Sequence, residues 1–114
     1  MIKKIIRKLK TGLTRGINSI DIDYNMLQDM IKNDSNTILL DVRSIQEFNE
    51  GHLLGALNLP LGELKNKASL LIPNHGQTII VYCQMGGRSK KASNILIKMG
   101  YTNVYQLKGG LDSI

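Results

Sequence analysis

Cysteine is almost absent from this 114-residue chain: Cys83 is its sole representative. One thiol cannot close an intramolecular disulfide, and it cannot supply a cysteine-rich metal site. His52 and His75 do not stand at ligand spacing with other metal-binding side chains, so no metal is expected. Tryptophan is missing and aromatics make up only 4% of residues. The core must therefore be built from Ile, Leu, Val and Met. No run of 18 apolar residues is present, which argues against a transmembrane helix. Nor does an uninterrupted apolar segment with a small-residue cleavage site follow the basic N-terminus, as a secretory signal would require. A reducing, cytoplasmic setting is the simplest expectation for such a chain.

Acidic residues are missing from positions 1–17, which hold six of the fifteen lysines and arginines. The remaining nine basic residues face nine acidic ones, so the formal charge of +6 belongs to the N-terminal segment and the rest is balanced. Within that segment Ile2, Ile5, Ile6, Leu9 and Leu13 fall on one stripe of a helix, with the basic residues opposite. A short basic amphipathic helix is expected there. It would dock on its own domain, fray in solution or lie peripherally on an anionic membrane surface. Nucleic acid is not an expected partner, because the segment has no aromatic residue to stack on bases. The chain divides into this segment, 1–19, and one domain, 20–114.

Within the domain, two periodicities alternate. Asp23 is placed to cap a helix over 24–32, with Met26, Leu27, Met30 and Ile31 as its apolar face. Residues 37–42 form a short continuous apolar run, as a strand covered on both faces needs. A short helix over 44–49, a small strand near 56–59 and a helix over 61–71 follow. The run 78–82 reads as a second buried strand leading straight into Cys83. A helix over 89–99 closed by Gly100, then a strand over 103–107, complete the pattern. Alternating strands and helices argue for an α/β domain with a mostly parallel sheet and helices on both faces.

The chemistry concentrates in Cys83-Gln84-Met85-Gly86-Gly87-Arg88-Ser89, between the C-terminal end of a buried strand and the start of a helix. Ligands of open α/β sheets bind at that edge. Backbone N–H groups entering a helix converge on an anion there, and glycines allow the curvature. A thiolate in that field has a depressed pKa and becomes a nucleophile. An isolated cysteine is more often a small buried hydrophobe. A purely structural cysteine, however, has no use for the glycines, the arginine and the helix start around it. Attack on a sulfane sulfur and attack on phosphorus both fit. The C-x4-R spacing is one residue shorter than the cradle of cysteine-based phosphatases and favours the transfer of a single sulfur atom.

At this point the chain resembles the rhodanese-like family over residues 20–111. The resemblance is carried by Leu39-Leu40-Asp41-Val42-Arg43 with Glu47-Phe48, by Glu50 through Pro60 including Gly51-His52, by the loop 83–89, and by Leu107-Lys108-Gly109-Gly110-Leu111. It implies a five-stranded sheet and a sulfurtransferase in which Cys83 is catalytic and carries a persulfide. Gln84, Met85, Gly86, Gly87, Arg88 and Ser89 would form the substrate-binding cradle, with Arg88 orienting an anionic donor. Asp41 and Arg43 would support the loops, and His52 would fix a loop by hydrogen bonding. The implied partners are a small sulfur donor, such as thiosulfate or a persulfide, and a thiophilic acceptor, such as cyanide, a thiol or a protein. No cofactor is implied. A non-catalytic sulfur-relay or redox-sensing module is the alternative, with a cysteine-based phosphatase behind it. Family members usually continue past Gly-Gly with a tryptophan and a closing helix. This chain ends at Ile114, and the 2–13 stripe would cover the sheet in that helix's place.

Overall fold

The computed structural model describes residues 19–114, and the basic stretch at 2–13 lies outside them. Within the described residues the elements in chain order are β1 (Ile20–Ile22), α1 (Tyr24–Asn33), β2 (Ile38–Asp41), α2 (Ile45–Glu50), β3 (Leu57–Asn58), α3 (Leu64–Leu71), β4 (Ile79–Tyr82), α4 (Gly87–Lys98) and β5 (Val104–Leu107). Short 3-10 turns at Leu61–Glu63 and Gly110–Ser113 lead into α3 and follow β5. The strands form one sheet in the order β1-β5-β4-β2-β3, and every pairing is parallel.

The central strands β2 and β4 are apolar on both faces because both faces are covered. Side chains alternate across a strand, so the two halves of each run enter different cores. Leu39, Ile80 and Tyr82 pack with Leu27 of α1 on one side. Leu40, Ile79 and Val81 pack with Leu64 and Ala68 of α3 and Ala92 and Leu96 of α4 on the other. Cys83 continues the parity of Val81 and joins this second cluster.

Local signals place the helices. The Asp23 side chain accepts from the Met26 amide at 2.9 Å, which satisfies one orphan donor of α1. Ser44 and Glu47 form a reciprocal capping box at the start of α2. Gly100, at φ +99°, ends α4 in the left-handed region that glycine adopts without a Cβ penalty.

Three features differ from the sequence expectation. β1 is a fifth strand that periodicity did not single out: three residues, Ile-Asp-Ile, are too short to show alternation, and only pairing with β5 makes them a strand. Met26, expected on the buried face of α1, is half exposed, since Leu27 alone of that helix is fully buried. The helix after Cys83 begins at Gly87 rather than at Ser89. Arg88 and Ser89 therefore sit in its first turn, where amides are free to bind a ligand.

Candidate active site

β4 delivers Cys83 to the C-terminal edge of the sheet, and the chain then turns through Gln84–Gly86 into α4. Gly86 holds φ at +113°, outside the range of ordinary side chains, and this lets the turn fold back over the sulfur. The Gly86 amide donates to Cys83 Sγ at 3.1 Å, and the Ser89 amide donates at 3.3 Å. Cys83 is buried and its thiol is free. Burial is the largest single influence on that thiol and pushes its pKa up. The Ser89 amide and hydroxyl, with the amides of Gly86 and Met85, oppose it and together bring the thiol below its ordinary value.

Ser89 is wholly buried, and its hydroxyl stands 3.0 Å from the Gly86 carbonyl and 3.2 Å from Gln106 Oε1 while also facing the Cys83 thiol. Gln106, on β5, is oriented in turn by donating from Nε2 to Asp21 on β1 at 2.9 Å. Sequence reading did not single out Gln106 or Asp21, because 85 positions separate them and only β1–β5 pairing unites them.

Gln84 and Met85 contribute differently from the other loop residues. The Gln84 side chain is occupied: Oε1 accepts from Arg43 at 3.3 Å and Nε2 donates to Asp112 at 2.6 Å. Met85 projects its thioether into solvent, 74% exposed. Arg88 forms a two-pronged ion pair with Glu47 of α2, at 2.6 and 3.0 Å, with both side chains about one-third exposed. That pair holds the Glu47 carboxyl down at about 2, well below the usual carboxylate range. Glu47 is thus part of the site, although in the sequence it stands out only as a family mark.

Asp41 and Arg43 form a buried brace beneath the loop. Arg43 Nη2 donates to Asp41 Oδ2 at 2.7 Å, and Nε reaches both carboxylate oxygens at 3.1 Å. Arg43 also donates to the Gly51 carbonyl at 2.7 Å, tying the α2 exit to the loop through Gln84. His52 stacks on Phe48, with Nδ1 2.7 Å from the Phe48 carbonyl; since a carbonyl only accepts, that nitrogen carries the proton. Tyr82 accepts at its hydroxyl from the Leu53 amide.

The final turn closes the loop from below. The amides of Leu111 and Asp112 donate to the carbonyls of Cys83 and Gln84 at 3.0 and 2.9 Å. The approach is so close that a Cβ at Gly110 would stand 2.5 Å from both carbonyl oxygens. The Gly-Gly motif therefore serves as the seat of the loop.

Among the described residues, no group of three or more His, Cys, Asp or Glu side chains is placed to hold a metal ion. No helix among them is long and apolar enough to cross a membrane. The whole is a parallel α/β domain that presents one amide-solvated thiol at its sheet edge. A family model for the rhodanese-like domain matches residues 23–114, and the chain belongs to that family.

Its relatives include the thiosulfate sulfurtransferase PspE of Escherichia coli, 40% identical over 66% of this chain and 71% of PspE. YqhL of Bacillus subtilis is 43% identical over 63% of this chain, which spans 56% of that protein's length. Among solved structures, the human single-domain sulfurtransferase TSTD1 superposes with a TM-score of 0.71 at 26% identity. That match covers 86% of this chain and 95% of TSTD1.

Proposed function

We propose that this protein is a sulfurtransferase that carries sulfane sulfur as a persulfide on Cys83. The observation that carries the reading is the pair of amide donors, from Gly86 and Ser89, aimed at Sγ within a loop that enters a helix. Such a cradle stabilises negative charge on sulfur, whether that sulfur is the thiolate or the outer atom of a persulfide. The names of two relatives, the sulfurtransferases PspE and TSTD1, agree with it.

In the first half-reaction the Cys83 thiolate attacks the outer sulfur of a donor. With thiosulfate, a new S–S bond forms at Cys83, the sulfur–sulfonate bond breaks, and its electron pair leaves with sulfite. With a protonated persulfide donor, the same attack breaks the donor's S–S bond, and the proton of the outer sulfur passes to the departing thiolate, which leaves as a thiol. In the second half-reaction a nucleophilic acceptor, a thiolate or cyanide, takes the outer sulfur and regenerates the thiolate. This is double displacement through a covalent enzyme form. Gly86, Gly87 and Ser89 present the backbone cradle, Arg88 stands at its edge, and Asp41 and Arg43 brace it from beneath. The carrier must stay reduced between turnovers, which suits the cytoplasm.

Intact-protein mass spectrometry after incubation with thiosulfate tests the reading, with Cys83→Ser alongside. A gain of one sulfur on the wild type alone, removed by cyanide with release of thiocyanate, is the expected result. Absence of the adduct with both thiosulfate and a persulfide donor would remove it.

A further inference from the structure

Among the described residues, two arginines reach the loop, and a carboxylate answers each. Arg43 is bound to Asp41 in the interior. Arg88 is bound through both terminal nitrogens to Glu47, a residue outside the loop on α2. Glu47 is fixed independently of Arg88: its Oε1 also accepts from the Ser44 amide at 3.2 Å and from the Ser44 hydroxyl at 3.1 Å. The carboxylate is thus held in place by the capping box and in turn holds the guanidinium. Gln84 and Met85 carry no charge, and the Gln84 amide is already engaged by Arg43 and Asp112. Lys90 and Lys91, farther along α4, are exposed to solvent and salt. Among the described residues, attraction for an anion at the sulfur is thereby left mainly to backbone amides, enough for one negative charge and poorly matched to two.

We infer that Glu47 sets the charge of the donor this site accepts, by neutralising Arg88, so that singly charged or neutral sulfane donors such as persulfides are favoured over dianionic thiosulfate. The inference rests on the reading of Cys83 as the sulfur carrier. Glu47 is a positioning residue in this scheme, since it acts through Arg88. An ion pair seen from the distance of a bound donor is a dipole, and its attraction falls off faster than that of a bare guanidinium. Removing the carboxylate's charge releases that attraction, and a dianion gains more from it than a monoanion.

The test uses two donors that transfer the same sulfur and differ by one charge. Thiosulfate loses sulfite, and the methanethiosulfonate anion loses methanesulfinate; in each case a sulfur–sulfur bond to Cys83 replaces the one broken. Steady-state rates with cyanide as acceptor are compared for wild type, Glu47→Gln and Glu47→Asp. Glu47→Gln is expected to raise kcat/KM for thiosulfate about fivefold, through KM, and for methanethiosulfonate about twofold at most. Glu47→Asp should keep the wild-type ratio. The gain of Glu47→Gln should shrink as potassium chloride rises from about 0.05 to 0.5 M. Because both donors are measured on one preparation, partial unfolding lowers both rates equally and leaves their ratio unchanged. An unchanged or lowered thiosulfate preference in Glu47→Gln, with sulfur still loading on Cys83, would overturn the inference and leave the sulfurtransferase reading standing. Failure of the wild type to load sulfur from either donor would defeat both.

Discussion

Gly110→Ala should cripple the active loop without touching any group that meets substrate. An added Cβ would lie 2.5 Å from the carbonyl oxygens of both Cys83 and Gln84 and 2.6 Å from the Gln84 carbonyl carbon, all backbone atoms that cannot swing aside. The position also holds φ at +64°, which costs a side-chain-bearing residue roughly 1–2 kcal/mol. Relief of the clash requires the Cys83–Gln84 peptide or the last turn to move, at about 1–3 kcal/mol as in overpacked cores. The same movement stretches the bonds from the Leu111 and Asp112 amides. The sum, about 2–5 kcal/mol, corresponds to a fall in Tm of at least about 8 °C for a domain this size. Gly62→Ala provides the contrast, since nothing lies within 4 Å of its added Cβ and its φ is not positive. It should stay within about 0.5 kcal/mol of wild type. Thermal and urea unfolding read the stability, and the rate of sulfur loading on Cys83, followed by mass, reads the loop. A Gly110→Ala protein within 0.5 kcal/mol of wild type and loading sulfur at the wild-type rate would refute this account of the Gly-Gly motif.

Alkylation of Cys83 by iodoacetamide, followed against pH, should show a midpoint below that of an ordinary thiol. Ser89→Ala should move the midpoint upward, because one of the donors opposing burial is removed; an unmoved midpoint would show that the hydroxyl contributes nothing. Arg43→Leu leaves the Asp41 carboxylate buried without its partner and should cost about 3–5 kcal/mol in urea unfolding. A loss below 1 kcal/mol would mean that water reaches the brace. The Glu47 carboxyl titrates near pH 2 in the folded protein against an ordinary 4.5. A depressed folded-state value means that its stabilisation is complete above about pH 4.5 and is lost as the pH falls toward 2. The pair is one-third exposed, so that stabilisation should be at most about 1 kcal/mol. The stability difference between wild type and Glu47→Gln should accordingly be flat from pH 8 to 5 and close on acidification. A difference that widens there would contradict the pairing.

Sequence alone determined the elements whose cause is local. The apolar runs of β2 and β4, the Asp23 cap and the position of Cys83 between a buried strand and a helix are all consequences of neighbours a few residues apart. The identity of the reactive loop follows from the same short-range pattern, glycines and helix start around a single thiol. Tertiary structure decided what depends on residues far apart in the chain. β1 exists because β5 offers a free edge, and periodicity cannot register three residues. Gln84 stands in the sequence as an open loop amide, whereas in the fold Arg43 and Asp112, distant in sequence, engage both ends of it. Arg88 reads in sequence as a free cation above the thiol, and only the packing of α2 against the loop, 41 positions away, gives it a carboxylate. Charge at a site is the sum over everything folded around it, and that sum is not written in any one segment of the chain.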